Sequence, residues 1–381
     1  MIDEILSAAV ARGDVVGAAA TVGNAAGTLY EGAAGFRGGE APMAADTVAW
    51  IASMTKAITS VAALQQVEAG RLSLDGPIAE VLPELAAPQV LEGFTESGEP
   101  ILRPARGAIT LRQLLTHTAG FGYDTWQPKI GRYAKLRGIP PMGSCRRLAL
   151  TAPLIADPGT AWNYGIGIDW AGLAVEAVTG RRLGEAIREG ITGPLGMVDT
   201  GFRLGEAQRA RLSAMHARGA DGSLTPIRFE VPQEPEFEMG GGGLYGTARD
   251  YLCFCRMVLN GGTLDGARIL SPETAAALGQ NQMGTLLVQR MESCIPGASH
   301  HAEFFPGQPK RWSLAFMLNE AAHPEGGRAA GSMAWAGLGN TYYWIDPLHD
   351  RAGVLVTQSL PFADPRVLAL LADFERAVYA A

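Results

Sequence analysis

The sequence predicts an α+β protein: one antiparallel sheet flanked by helices and assembled from both ends of the chain, plus an inserted, mostly helical domain. Three observations predict it. The chain opens on a helical run followed by a hairpin pattern, its middle carries helical pieces with almost no alternating strand pattern, and its last stretch returns to strands before a closing helix. The expected division is residues 1–70 and 236–381 for the sheet domain and 71–235 for the helical one, with an active site in the cleft between them.

Residues 2 to 12 form the first helical run. Residues 16 to 36, VGAAATVGNAAGTLYEGAAGF, hold two small-residue runs around a Gly-Asn-Ala-Ala-Gly turn, which is hairpin patterning. From Ser53, the apolar residues Ile58, Val61, Ala62, Leu64 and Val67 keep helical spacing until Gly70, a natural C-cap. Ser53 therefore heads a helix with a buried face. Between residues 72 and 235, LRQLLTH and WAGLAVEAVTG read as helices joined by long Gly/Pro-containing loops, and residues 219 to 228 as a short irregular ribbon. The run Gly240 to Gly243 reads as a strand on which a ligand can approach the backbone. Thr247 and Asp250 then make a capping signal for a helix that ends at Asn260-Gly261-Gly262. RWSLAFMLN, GSMAWAG, NTYYWIDP and RAGVLVTQS are strand-like, and DPRVLALLADFERAVYAA closes the chain as an amphipathic helix.

Composition narrows the function classes. A net charge of −7 without any basic block leaves no electrostatic footprint for nucleic acid. The start, MIDEILSAAVARGD, lacks a basic n-region and a long apolar stretch, and no run of about 18 apolar residues follows, so a cytoplasmic protein without a membrane partner is expected. Cys145, Cys253, Cys255 and Cys294 form no C-x-x-C pair and no zinc-type spacing with histidine, so no metal is expected.

The stretch WIASMTKA places Ser53 three residues before Lys56. Residues three apart share a helix face, so the amine can stand beside the hydroxyl. A serine becomes nucleophilic when a neighbour removes its proton, and a desolvated lysine can do so near neutral pH. Serine is also a common N-cap, so the pair alone does not decide between catalysis and capping. No Gly-x-Ser-x-Gly occurs, which removes the nucleophile elbow, whereas six histidines leave a Ser-His-Asp triad open.

Five motifs in order carry a resemblance across nearly the whole chain: IASMTKAIT, LLTHTAG (Leu114 to Gly120), WNYGIGIDWAG (Trp162 to Gly172), GGGGLYGTARDY (Gly240 to Tyr251) and WAGLGNTYYWIDP (Trp335 to Pro347). The chain resembles the serine β-lactamase-like superfamily, and within it the family VIII carboxylesterases, relatives of class C β-lactamases and DD-peptidases. The resemblance implies a β-lactamase/penicillin-binding transpeptidase-like fold. It also implies that Ser53 is the acylated nucleophile, Lys56 its hydrogen-bonded partner and Tyr164 the tyrosine that shares proton transfer. Whether Lys56 or Tyr164 takes the first proton is left open. The backbone N–H groups of Ser53 and Leu338 would form the oxyanion hole.

Two departures bear on substrate. Trp335-Ala336-Gly337 falls where β-lactamases and DD-peptidases carry Lys-Thr-Gly, so an aromatic wall replaces the cation that binds a substrate carboxylate. Ile166 stands where the lactamase-type motif has an asparagine. Both favour neutral esters over β-lactams. Tyr123, Trp126 and Trp170 are candidates for lining an acyl or alcohol pocket, His117 reads as part of a structural turn, and His300 and His301 as loop residues.

The expected function is hydrolysis of short-to-medium-chain carboxylic esters through an acyl-enzyme on Ser53, with a small-molecule ester as partner and no cofactor. An acyltransferase or an amide or β-lactam hydrolase would use the same Ser53, Lys56 and Tyr164. From another class, a non-catalytic ligand-binding relative would have no need of a nucleophile with two candidate bases.

Overall fold

The computed structural model describes residues 1–324 and 326–380. Helix α1 (Ile2–Ala11) leads into β1 (Gly17–Gly23), β2 (Thr28–Gly38) and the short β3 (Ala41–Pro42). The other sheet strands come from the end of the chain: β4 (Lys310–Trp312), β5 (Met317–Asn319), β6 (Met333–Gly337), β7 (Thr341–Asp346) and β8 (Arg351–Val356). Together they form one eight-stranded sheet in the order β4-β5-β6-β7-β8-β1-β2-β3. The two chain ends join where β8 pairs antiparallel with β1, Ala19 opposite Val356 and Val22 opposite Gly353.

Every residue of β1, β6 and β7 is buried. A strand covered on both faces loses the polar alternation of a half-exposed one, which is why these segments read as continuous apolar runs. On one face, Trp344 packs edge-on against Phe374 of the closing helix α5 (Pro365–Tyr379). On the other, Tyr343 meets Tyr251 of α4 (Ala248–Leu259), whose N-cap Thr247 accepts from the Asp250 N–H as its capping signal predicts.

Helix α2 (Thr55–Glu68) is buried on nearly all sides and packs against α3 (Gly167–Thr179). Ser53 lies just ahead of α2, in a single 3-10 turn, Ala52–Met54. The middle of the chain holds more strand than the sequence indicates. Gln89–Phe94 and Pro100–Pro104 form a two-stranded ribbon, and Met215–Arg218 pairs with Leu224–Ile227. Prolines at both ends of the second ribbon strand disguise it, since proline is tolerated only at unpaired edges. Met215–Arg218 also pairs in parallel with Ser359–Leu360, a partner far along the chain that no local pattern shows. The four-glycine run is a turn rather than a strand. Among the described residues no helix is long and apolar enough to cross a membrane.

The docking of α5 depends on a buried ion pair. Arg328 holds Glu375 through Nη2–Oε2 at 2.5 Å and Nε–Oε1 at 3.0 Å, with both side chains 8% exposed. Burial raises the Glu375 carboxyl, and the Arg328 charge and hydrogen bonds outweigh it, leaving the group below its ordinary value of 4.5. Because the folded value is the lower one, this stabilisation is present above the unfolded value and is lost as pH falls through the folded one. Glu375→Gln leaves the guanidinium buried without a counter-charge, at an expected cost of about 3–5 kcal/mol. Thermal unfolding should show a lowered Tm at pH 7, with the gap to the parent protein closing below about pH 4.

Candidate active site

The turn that carries Ser53 is fixed from three directions. Ala49 and Trp50 pair with Gly246 and Tyr245, and Gln358 makes two bonds to the Trp50 backbone, Oε1 accepting its N–H and Nε2 donating to its carbonyl, both at 3.0 Å. The Ile51 N–H donates to Leu244 O, and the Tyr251 hydroxyl donates to Met54 O at 2.9 Å. Ala52 is held at φ +46°, a left-handed conformation that costs a non-glycine residue roughly 1–3 kcal/mol and persists where its surroundings enforce it. Ser53 next to it remains partly exposed.

Lys56, 1% exposed, lies one turn further on the same face. Its Nζ is 3.1 Å from Ser53 Oγ, 3.1 Å from the Tyr123 hydroxyl and 2.6 Å from the Gly241 carbonyl. Both of the latter contacts depend on Asp169 in the first turn of α3. Its Oδ1 accepts the Gly241 N–H at 2.8 Å and its Oδ2 the Tyr123 hydroxyl at 3.3 Å, and the side chain is 0% exposed. Burial pushes the Asp169 carboxyl above its ordinary value although the Lys56 charge pulls the other way. Burial, followed by the Asp169 charge, holds the Tyr123 phenol well above its ordinary value, so it stays protonated. A Cβ at Gly241 would lie 2.5 Å from Asp169 Oδ2 and 2.8 Å from the Tyr123 hydroxyl oxygen, so only glycine allows this approach.

Tyr164 is placed differently from Tyr123. Its ring lies beside Lys56, 4.7 Å from Nζ to the ring centre, and its hydroxyl accepts from Trp335 Nε1 at 3.0 Å. No hydrogen bond joins it to Ser53 or Lys56 among the described residues, so the tyrosine hydroxyl bonded to Lys56 belongs to Tyr123. The indole of Trp335 thus aims a neutral donor at the phenol oxygen. Behind Tyr164, the His117 ring packs against it at 4.8 Å and edge-on against Trp312 at 4.8 Å. Burial and the Lys56 charge hold His117 well below its ordinary value, hence neutral, and its carbonyl accepts the Asn163 N–H at 2.8 Å.

Ser53 opens into a cavity of about 310 Å³ whose walls include Tyr123, Trp126, Phe229, Met239 and Leu338. Among the described residues no arginine or lysine lines it, and its acids are Asp124 and Glu230, the latter forked to Arg209 at 2.9 and 3.0 Å. Leu338 is brought to the wall by Gly337, where any Cβ would collide with Ile51 O and Thr341 Oγ1.

Among the sequence candidates, Ser53, Tyr123, Trp126 and Leu338 meet at this cavity, while Ile166 and Ala336 are buried away from it. Trp170 does not line it: one residue past Asp169, it is rotated about a third of a turn around α3 and faces Phe121 in a separate cavity of about 600 Å³. Trp335 borders a different cavity and reaches the site through Tyr164. His300 and His301 are exposed, although Ile295 and Ala298 of the same loop do overhang the cavity. Sequence reasoning missed Asp169, whose only signal is an acid inside the apolar run GIGIDWAG, and the Gly241 carbonyl. Among the described residues no three His, Cys, Asp or Glu side chains are grouped to hold a metal ion.

Comparison with known proteins places the chain among relatives. The family model described as Beta-lactamase matches residues 2–377. Monacolin J acid methylbutanoyltransferase of Aspergillus terreus is 34% identical over 353 residues, covering 89% of this chain and 83% of that one. A lovastatin esterase of Penicillium rubens is 34% identical over 395 residues, covering 99% and 97%. Of the solved structures, a mutant of simvastatin synthase from Aspergillus terreus superposes with a TM-score of 0.86 at 30% identity, covering 100% and 96%.

Proposed function

The chain belongs to the Beta-lactamase family of serine enzymes, and we propose that within it this protein forms an acyl-enzyme on Ser53 from neutral, short-to-medium-chain carboxylic esters and releases the acid to water. The observation that carries the reading is Lys56 Nζ at 3.1 Å from Ser53 Oγ, at the edge of an apolar cavity that no other cation among the described residues lines.

As Ser53 Oγ bonds to the ester carbonyl carbon, its proton passes to Lys56 and the carbonyl electron pair moves onto oxygen. That oxygen faces the backbone N–H groups of Ser53 and Leu338, donors that need no reorganisation as charge develops. Collapse breaks the bond to the alcohol oxygen, which leaves with the proton from Lys56. Water then repeats the sequence on the acyl-enzyme. Tyr164, its oxygen fixed by the Trp335 indole, packs beside Tyr123 at 5.4 Å between ring centres, and its ring next to Lys56 supports the proton transfers electrostatically.

A second reading has a specific support. One relative is an esterase and another a methylbutanoyltransferase, and the apolar cavity can seat an alcohol in place of water. Hydrolysis of p-nitrophenyl esters from acetate to octanoate, with mass spectrometry of the protein and of the products in added alcohol, tests both. Release of p-nitrophenol with an acyl adduct on Ser53 is the expected result. A product ester that dominates over free acid at modest alcohol concentration would make the acyltransferase reading the better one, and no adduct would sink both. A β-lactam such as nitrocefin should react poorly. Its carboxylate meets no cation here, a loss of roughly 10- to 100-fold for one hydrogen bond to a charged group.

A further inference from the structure

We propose that Asp169 is a positioning residue that sets the direction of the hydrogen bonds along Asp169, Tyr123 and Lys56, and thereby points at Ser53 the lone pair that Lys56 must present when it acts as the base. The inference rests on the reading of Ser53 as nucleophile and Lys56 as its base.

An ammonium has three N–H donors, and Lys56 has three oxygen neighbours: Ser53 Oγ, the Tyr123 hydroxyl and Gly241 O. As a base, Lys56 keeps two N–H donors and one lone pair, so one neighbour must become a donor. Gly241 O cannot donate. Ser53 and Tyr123 each carry one hydroxyl proton, and whichever is free to give it captures the lone pair. Asp169 Oδ2 accepts the hydrogen bond from the Tyr123 hydroxyl, whose proton stays on the phenol, because a carboxylate in its ionised form can only accept. The Tyr123 oxygen is then an acceptor toward Lys56, and Ser53 is left as the one hydroxyl that can donate to the amine. Asp169 Oδ1 meanwhile binds the N–H of Gly241, whose carbonyl takes the other Lys56 proton. One carboxylate therefore orders both fixed acceptors of the base. The phenol's high pKa, a consequence of burial before the Asp169 charge, keeps that proton on Tyr123 throughout.

An asparagine in place of Asp169 reverses this polarity while keeping the shape. The Gly241 N–H still requires an acceptor, so the amide oxygen faces it and the NH₂ faces Tyr123. The Tyr123 oxygen then accepts from that NH₂ and turns its own proton toward Lys56, competing with Ser53 for the lone pair. Removing the phenol oxygen as well removes the competitor. Asp169→Asn should therefore be slow and Asp169→Asn/Tyr123→Phe faster than it, the reverse of what loss of two structural contacts would give.

The readout is the rate at which a fluorophosphonate probe labels Ser53, which does not require the natural ester. In that step the Ser53 Oγ–P bond forms, fluoride leaves with the P–F electron pair, and the Oγ proton goes to Lys56. Asp169→Asn is expected to label about 10²-fold more slowly than the parent, at the low end of what a positioned base contributes. Tyr123→Phe and the double variant are each expected within about tenfold of the parent. Circular dichroism and Tm accompany each variant. Labelling of Asp169→Asn at the parent rate, or a double variant as slow as Asp169→Asn, overturns the proposal. If Asp169→Asn does not fold, Tyr123→Phe alone decides: a loss as large as that of Lys56→Met would make Tyr123 itself the base and overturn it. A parent protein that does not label at all removes the Ser53 reading first and the Asp169 inference with it.

Discussion

Replacing Ser53 with alanine is expected to reduce ester turnover by at least about 10³-fold, the scale of loss when a nucleophile is deleted and only binding and oxyanion contacts remain. The fold should persist. Ser53 is partly exposed, and Lys56 keeps its bonds to Tyr123 and Gly241 O when Oγ is removed. A change in stability within about 0.5 kcal/mol is therefore expected. Initial rates on p-nitrophenyl butyrate, intact-protein mass spectrometry and a thermal melt read the three quantities together. Undiminished hydrolysis by a folded Ser53→Ala protein would mean that another group performs the chemistry. His117 is badly placed to be that group: it is neutral, packed behind Tyr164 and 3% exposed, and its ring nitrogens meet no hydrogen-bond partner among the described residues.

Gly337→Ala should produce the second large effect, for a reason seen only in three dimensions. An added Cβ would strike the Ile51 carbonyl oxygen and Thr341 Oγ1, one on the turn carrying Ser53 and the other across the β6–β7 hairpin. Neither is the far end of a flexible side chain, so β6 must retreat from the nucleophile. Overpacking of this kind costs about 1–3 kcal/mol. The retreat also carries the Leu338 N–H away from the developing oxyanion, and loss of one such donor lowers kcat by about 10²–10³-fold. Gly27→Ala is the control, since nothing lies within 4 Å of a Cβ there. A Gly337→Ala enzyme with the parent kcat would show that Leu338 does not supply the oxyanion contact.

Trp335, which the resemblance sets where β-lactamases carry a lysine, acquires a physical content from its contacts. In sequence it reads as the loss of a cation and the gain of an apolar wall. In the structure the indole does not face Ser53's cavity; it donates to the oxygen of Tyr164. The position supplies a hydrogen-bond donor to the tyrosine but no charge for a substrate carboxylate, which supports the proposed preference for neutral esters. Trp335 is itself held by Trp312 and Phe304, at 4.6 and 5.5 Å between ring centres, so its donor direction is set by packing.

Much of the architecture follows from local pattern. The small-residue hairpin, the late strands, the capped helix after Thr247 and the closing amphipathic helix are each specified by spacing and turn residues over ten to twenty positions. Residues 219 to 228, read as an irregular ribbon, do hold the strand Leu224–Ile227, whereas the ribbon of Gln89–Phe94 and Pro100–Pro104 is not legible, because its proline-marked ends leave no alternation to read. Ser53 and Lys56 are legible for the same reason as the helices: they lie three apart on one segment, and helix geometry alone puts them on one face.

The rest of the site was decided by tertiary structure. Lys56, Tyr123, Asp169 and Gly241 come from four separate segments, and nothing in any one of them says which tyrosine will reach the amine. Tyr164 belongs to the recognisable motif, yet it is the Tyr123 hydroxyl that bonds Lys56, because the Asp169 carboxylate and the Gly241 turn hold it there. The sequence by itself determined the Ser53–Lys56 pair on one face and a sheet closed by both chain ends. Which hydroxyl faces that amine, and in which direction each proton points, depended on burying one carboxylate between two elements. A buried acceptor must be satisfied by whatever donors the fold brings to it, and only the folded chain supplies that choice.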